Sequence, residues 1–194
     1  HNYIKSNLIF TYCSEKENNK NQKRKLTVLD YGCGRGGDIS KMFHARIDSY
    51  VGIDIGYNEI FSSIDGAISR YENFRRKNKT FPKMEFLLAD ASSELNYESQ
   101  IRALGKMSDK NKSDLVRIFG EDMNNISGRK FDVFNCQLMI HYLFKNDETW
   151  NNFCNNVNNY LNDGGFLLIT TFDGDLIHNE FKKNNGVLES YYLE

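Results

Sequence analysis

A chain of 194 residues with 40% hydrophobic and 13% aromatic content carries enough apolar material for a packed core and lacks the composition of a disordered segment. The formal net charge is −1, from 25 Lys and Arg against 26 Asp and Glu, so any surface for an acidic partner has to be local. No apolar run approaches membrane-spanning length, no signal peptide is visible, and Cys13, Cys33, Cys136 and Cys154 show neither C-x-x-C spacing nor a His at ligand spacing, which favours reduced thiols over disulfides or a metal site. The chain begins at His1 rather than Met and is read as a piece of a longer polypeptide.

In chain order, Asn2 to Tyr12 has the pattern of an amphipathic helix, with Tyr3, Ile4, Leu8 and Ile9 on one side. Ser14 to Lys25 is polar and charge-dense and reads as a linker, so residues 1–25 form an N-terminal helix and linker and 26–194 a core. The first strand is Leu26–Tyr31, followed by a Gly-rich turn and a helix to about His44. The second strand is Tyr50–Ile55. A long helix is predicted from about Asn58 to Lys77, with Ile60, Phe61, Ile64, Ala67, Ile68, Tyr71 and Phe74 at helical spacing. The lone proline, Pro82, precedes a third strand, Met84–Ala89. Ala91 to Gly128 is read as an insertion of mixed helical character. The fourth strand is Phe131–Gln137, and a helix over Thr149–Leu161 ends at Asn162-Asp163-Gly164-Gly165, a turn signal before a fifth strand, Phe166–Thr171. Apolar strands alternating with helices predict an α/β fold, a mostly parallel sheet with helices on both faces.

The run Leu26-Thr-Val-Leu-Asp-Tyr-Gly-Cys-Gly-Arg-Gly-Gly-Asp38 is the most telling segment. A strand breaks into a turn in which Gly32, Gly34 and Gly36 let backbone N–H groups approach a ligand, and a helix follows. Gly32 to Gly37 satisfies G-x-G-x-x-G, and Asp54 stands about 20 residues on, where an acid can take ribose hydroxyls. Both facts fit NAD as well as S-adenosylmethionine. Asp30 before the glycines and Asp90 at the end of the third strand favour the latter, because a pyrophosphate would prefer a loop free of acids. Blander readings stand beside these: a simple tight turn, Asp54 as a helix N-cap, Arg35, Lys41 and Arg70 as solvated charges, and His141 as a satisfied core histidine.

Five blocks carry a family resemblance: Asn2-Tyr-Ile-Lys-Ser-Asn-Leu-Ile9; Val28 to Asp38; Tyr50-Val-Gly-Ile-Asp-Ile55 with Arg70-Tyr71; Phe131-Asp-Val-Phe-Asn-Cys-Gln-Leu-Met-Ile-His-Tyr142; and Gly164-Gly-Phe-Leu-Leu-Ile-Thr-Thr-Phe-Asp-Gly-Asp175. Together they resemble the mRNA cap guanine-N7 methyltransferases, and the last block leans toward the capping enzymes of large DNA viruses. The Gly motif is shared by many methyltransferases; the Gln137…His141-Tyr142 and opening blocks are more specific.

The resemblance implies a Rossmann-like S-adenosylmethionine-dependent methyltransferase fold and methyl transfer to N7 of the guanine of capped mRNA. It implies that Lys5 holds the methionine carboxylate, that Gly32 and Gly34 line the cofactor, that Asp54 takes the ribose and Asp90 the adenine side, and that Gln137 and Tyr142 complete the pocket. Asn2, Arg35, Lys41, Arg70 and His141 would face the capped end of the RNA. No residue is expected to act as acid or base, and no metal is expected. His1-Asn2 departs from the Asn-Asn of many members, and Arg35 stands where Lys is commoner. The family's last two strands are expected to be missing or truncated, with Tyr192 or Glu194 as candidates for the start of that region. Capped RNA is the expected partner, with other capping domains of the same polypeptide or an activating subunit, and no membrane. A viral source would place the protein in the cytoplasm, in the viral factory or virion, and a cellular one in the nucleus. Competing readings are a methyltransferase of another substrate, a non-catalytic methyltransferase-like subunit, and a nicotinamide oxidoreductase.

Overall fold

Parallel strands buried on both faces organise the chain. The structure, a computed structural model, describes residues 2–17 and 23–184. Helix α1 (Asn2–Tyr12) leads to a short antiparallel pair, β1 (Lys16–Glu17) and β2 (Lys23–Arg24), within the segment read as a linker. The main sheet has the order β5 (Lys83–Leu88), β4 (Ser49–Asp54), β3 (Thr27–Tyr31), β6 (Phe131–Gln137) and β7 (Leu161–Thr170), and every neighbouring pair is parallel. Each strand predicted from the sequence is present.

Alternation along the strands sends successive side chains to opposite layers. Val28, Tyr50, Met84, Phe86, Val133 and Leu168 bury on one face against α1, α2 (Ile39–His44), α3 (Tyr57–Phe61) and α4 (Ala67–Lys77). Leu29, Val51, Ile53, Leu87, Phe134 and Cys136 bury on the other, against α6 (Asp109–Phe119), a 3-10 helix (Ile140–Lys145) and α7 (Asp147–Tyr160). Building outward from β3, the chain passes through β4 to β5 and then crosses back to β6 on the other side. That reversal opens a crevice outside the carboxyl ends of β3 and β6, where open α/β sheets take their ligands.

Several expectations are corrected. The long helix over 58–77 is two helices, because Gly66 packs its α-carbon against the preceding turn; a Cβ there would lie 2.6 Å from the Ser62 carbonyl oxygen. The segment 91–128 is no insertion: it holds α5 (Tyr97–Leu104) and α6, and Leu95, Leu115, Ile118 and Phe119 are buried in the second core, so it is the crossover from β5 to β6. The glycine pair at 164–165 lies inside β7, where the register with β6 shifts, rather than before the strand. Helix α1 covers less than its pattern suggests: Ile9 is buried, but Tyr3 and Ile4 stand exposed. After β7 comes α8 (Gly174–Lys183), with no buried residue. Among the described residues β7 is the sheet's last strand; His1, Tyr192 and Glu194 lie outside them.

Candidate functional site

The turn after β3 is built by backbone that only glycine adopts easily. Gly32, Gly34 and Gly36 have φ of +86°, +51° and +71°. The Gly32 and Cys33 N–H groups donate to the Ile53 carbonyl at 3.0 and 2.9 Å, tying the turn to β4. At Gly32 a Cβ would come within 2.7 Å of Met139 Cγ, whereas nothing lies within 4 Å of a Cβ at Gly34 or Gly37. Gly32 is thus needed for packing against the segment after β6, and Gly36 for packing on Ile39, whose Cδ1 a Cβ would overlap; Gly34 and Gly37 leave open space.

Asp54 closes the same crevice. Its Oδ2 accepts from Gly34 N–H and its Oδ1 from Gly56 N–H, both at 2.8 Å. The carboxylate is a clasp between two loops rather than an N-cap, since α3 is capped by Gly56. Each oxygen keeps a lone pair for a further donor. Asp90 orders its own loop by accepting from Ser92 N–H at 2.8 Å and Ser92 Oγ at 2.7 Å. Beneath it, buried Gln100 accepts from Asp90 N–H at 2.7 Å and donates to the Asp90 carbonyl at 2.9 Å. The sequence held no signal for Gln100, because its role depends on α5 packing under that loop.

Lys5 and Lys41, assigned to different ligands on sequence grounds, meet on one acid. Lys5 Nζ lies 2.7 Å from Asp38 Oδ2 and Lys41 Nζ lies 2.8 Å from Asp38 Oδ1. The Asp38 side chain is 7% exposed and makes no helix-capping bond, so its carboxylate serves the two lysines. The sequence signal for the role of Asp38 is an acid directly after Gly36-Gly37.

Asp30 is buried under the turn. Tyr50 Oη donates to its Oδ2 at 2.6 Å and Asn135 Nδ2 to its Oδ1 at 2.9 Å. Burial first, and the charge of Asp38 second, push its pKa up to about 6, against the pull of those two hydrogen bonds and of Lys5. Its side chain is buried among Tyr50 and Asn135. Burial also pushes the Cys33 thiol well up, with help from Asp30 and Asp54, and raises Cys136 to about 12. Both thiols are protonated near neutral pH and supply no nucleophile.

The residues assigned to the RNA end differ in their partners. Arg35 Nε lies 2.7 Å from Glu59 Oε2, and its Nη1 pairs with Asp65. The hydrogen bond and charge of Glu59 raise the Arg35 pKa. Arg70, on α4, is exposed and makes no side-chain hydrogen bond or ion pair among the described residues. Asn2 is exposed at the start of α1. The His141 and Tyr142 rings lie tilted by 40° with centroids 4.2 Å apart, and Phe172, for which the sequence carries no separate signal, adds a ring 5.4 Å from His141. The His141 Nδ1 atom is buried without a hydrogen-bond partner among the described residues, while Tyr142 is 69% exposed. His141 is therefore not a satisfied core histidine.

A nucleoside carrying a zwitterionic amino-acid tail fits this donor set. Lys5 and Asp38 offer opposite charges side by side, Gly34 and Gly37 leave a cradle, and Asp54 presents a carboxylate at the strand end. The family model described as the mRNA (guanine-N(7))-methyltransferase domain matches residues 1–191. A relative from Acanthamoeba polyphaga mimivirus, named "Probable mRNA-capping enzyme", is 44% identical over 190 residues, covering 98% of this chain and 15% of that protein. The mRNA cap guanine-N(7) methyltransferase of Schizosaccharomyces pombe is 30% identical over 181 residues, covering 93% of this chain and 40% of that protein. An Oryza sativa subsp. japonica relative, mRNA cap guanine-N(7) methyltransferase 1, is 27% identical over 190 residues, with coverage of 96% and 41%. The chain spans less than half the length of these relatives. With a matching model over nearly its whole length, the chain belongs to the mRNA (guanine-N(7))-methyltransferase family.

Proposed function

We propose that this chain methylates N7 of the guanine cap of mRNA with S-adenosylmethionine as donor. The observation that supports it best is the meeting, at the crevice between β3 and β6, of the Asp54–Gly34 clasp with the segment leading from Met139 to the His141–Tyr142 pair. When bound, the cofactor supplies a methyl group activated by a sulfonium. Lys5 takes its carboxylate, and Asp38 is left with the cofactor's amino group and Lys41 as cationic neighbours. Gly32 and Gly34 line it, Asp54 accepts from the ribose hydroxyls, Asp90 faces the adenine side, and Gln137 and Tyr142 complete the pocket.

The capped end lies against Asn2, Arg35, Lys41, Arg70 and His141. Arg35 and Lys41 already serve acids, so Arg70, which has no competing acid, carries the largest share of the triphosphate's charge. The His141 ring faces the guanine edge; its Nδ1, buried and unpartnered among the described residues, joins a hydrogen bond there when the ring turns to the ligand. N7 of guanine offers a lone pair and bears no proton, so no side chain has to act as a base; these residues hold the two reactants in line and exclude water. Capped RNA is the partner, other capping domains of the same polypeptide or an activating subunit are further ones, and the compartment is that of transcription: the cytoplasmic factory or virion for a viral source, the nucleus for a cellular one. Among the described residues no helix is long and apolar enough to cross a membrane.

The test is methyl transfer from labelled S-adenosylmethionine to GpppA, beside uncapped RNA. Label at N7 of GpppA alone is the expected result. Cofactor binding with no label on GpppA would overturn the cap assignment.

A further inference from the structure

Five side chains form a continuous hydrogen-bonded line beneath the crevice. It begins at a backbone donor, Leu138 N–H, which reaches Thr170 Oγ1 at 3.1 Å. Thr170 Oγ1 donates to Gln137 Oε1 at 2.8 Å, Gln137 Nε2 to Asn135 Oδ1 at 2.8 Å, and Asn135 Nδ2 to Asp30 Oδ1 at 2.9 Å. Tyr50 Oη closes the line on the other carboxylate oxygen at 2.6 Å. Strand register makes this possible: Asn135 pairs with Asp30 across β6–β3, and Thr170 with Gln137 across β6–β7. Asn135 and Gln137 follow each other by two along β6, so their side chains share a face.

From Leu138 to Asp30 every hydrogen points toward the carboxylate, and Tyr50 donates to it from the opposite side. An ionised carboxylate only accepts, so Asn135 must turn its amide nitrogen to Asp30 and its oxygen to Gln137. Gln137 then has to offer nitrogen to Asn135 and oxygen to β7. Thr170 Oγ1 accepts from Leu138 N–H and gives its one hydrogen to Gln137. With the Gln137 amide reversed, two carbonyl oxygens would face each other across the 2.8 Å contact with Asn135, in a place where Asn135 is fully buried. Gln137 retains one N–H and one carbonyl lone pair for a ligand, and the line decides which lies where.

We infer that Asn135 and Thr170 are positioning residues that hold the Gln137 amide in the single orientation the cofactor pocket uses, with Asp30 as the polarising end. The inference rests on the reading of Gln137 as a cofactor-pocket residue. Neither Asn135 nor Thr170 touches the cofactor in this scheme; both act through Gln137. Among the described residues Thr170 lies on the sheet's last strand, and a change of its side chain leaves its backbone bond to Leu138 N–H, at 3.0 Å, in place.

The experiment compares Thr170→Val, which keeps the shape and loses the hydroxyl, with Thr170→Ser, which keeps the hydroxyl. Binding of S-adenosylmethionine is measured by calorimetry, and steady-state kinetics on GpppA follow. Thr170→Val is expected to weaken cofactor binding and raise cofactor KM roughly tenfold, the scale of one lost buried hydrogen bond, with cap KM unchanged and kcat within about threefold. Thr170→Ser is expected within about twofold of wild type. In parallel, the side-chain amide protons of Gln137, followed by NMR, are expected to exchange faster with solvent in Thr170→Val than in wild type or Thr170→Ser. Wild-type cofactor affinity in Thr170→Val, or equal loss in Thr170→Ser, overturns the inference. A wild-type protein that binds no S-adenosylmethionine overturns instead the reading beneath it, and is seen before any variant is compared.

Discussion

Asp54 shows how much a single carboxylate can do at this site. It satisfies two backbone N–H groups on different loops and leaves lone pairs for a ligand. Asp54→Ala removes both acceptors, so a loss of about 1–2 kcal/mol of stability is expected by denaturant titration, together with at least a tenfold loss of cofactor affinity by calorimetry. Lys5 and Arg70 should separate the two ligands. Lys5→Ala leaves Asp38 its partner Lys41, so the fold is expected to hold while cofactor KM rises and cap KM stays. Arg70→Ala is expected to do the reverse, and kinetics with each substrate varied in turn would read the split. Equal effects on both KM values in either variant would contradict the division of the crevice. The acids were legible in the sequence as strand-end carboxylates; the sharing of Asp38 between Lys5 and Lys41 was not, because it joins α1 to the start of α2 across more than thirty positions of chain.

At the scale of elements, local chemistry explains where helices begin and tertiary contact explains where they break. Helix α7 starts in a capping box: Asn146 Oδ1 accepts from Thr149 N–H at 2.9 Å, and Thr149 Oγ1 answers with Asn146 N–H at 3.4 Å. Asn146→Ala is expected to cost about 1 kcal/mol, measured by chemical denaturation, with no change in cofactor affinity. The break between α3 and α4 has a different origin. A Cβ on Gly66 would meet Ser62 O, Ser62 N and Ile60 O at 2.6, 2.7 and 2.8 Å, all backbone atoms that cannot swing aside. Gly66→Ala is therefore expected to destabilise by about 1–3 kcal/mol, by melting or denaturant titration, and alanine is also the poorer residue at this N-cap position. The sequence pattern over 58–77 ran on through this glycine because apolar spacing alone is silent about a turn folded back on itself.

For the whole molecule, burying Asp30 in the middle of the sheet couples stability to pH. Its pKa rises from 3.8 to about 6, so the native state holds a proton that the unfolded chain has released in that interval. The contribution of Asp30 to stability is then largest below its unfolded pKa and declines as pH rises toward about 6. Asp114 and Glu85, held below the ordinary range by Arg117 after opposing burial, act in the other direction but at lower pH. Between about pH 5 and pH 7 the Asp30 effect should dominate. Denaturation midpoints for wild type are expected to fall across that interval, and Asp30→Asn is expected to flatten the slope. A slope unchanged in Asp30→Asn would place the titrating group elsewhere.

Periodicity and glycine placement alone determined the strands, the Gly-rich turn and the strand-end acids, because alternation, turn chemistry and apolar runs act over a few neighbouring residues. The mixed segment 91–128 became a buried crossover only through the packing of α6 on β5 and of α5 on α6, which no local pattern encodes. Likewise the pairing of Arg35 with Glu59 and Asp65, the orphaned His141 nitrogen and the one-way line from Leu138 to Asp30 were decided by tertiary structure. Each depends on which distant side chains the parallel register brings within about 3 Å, and register between strands far apart in sequence is a property of the assembled sheet.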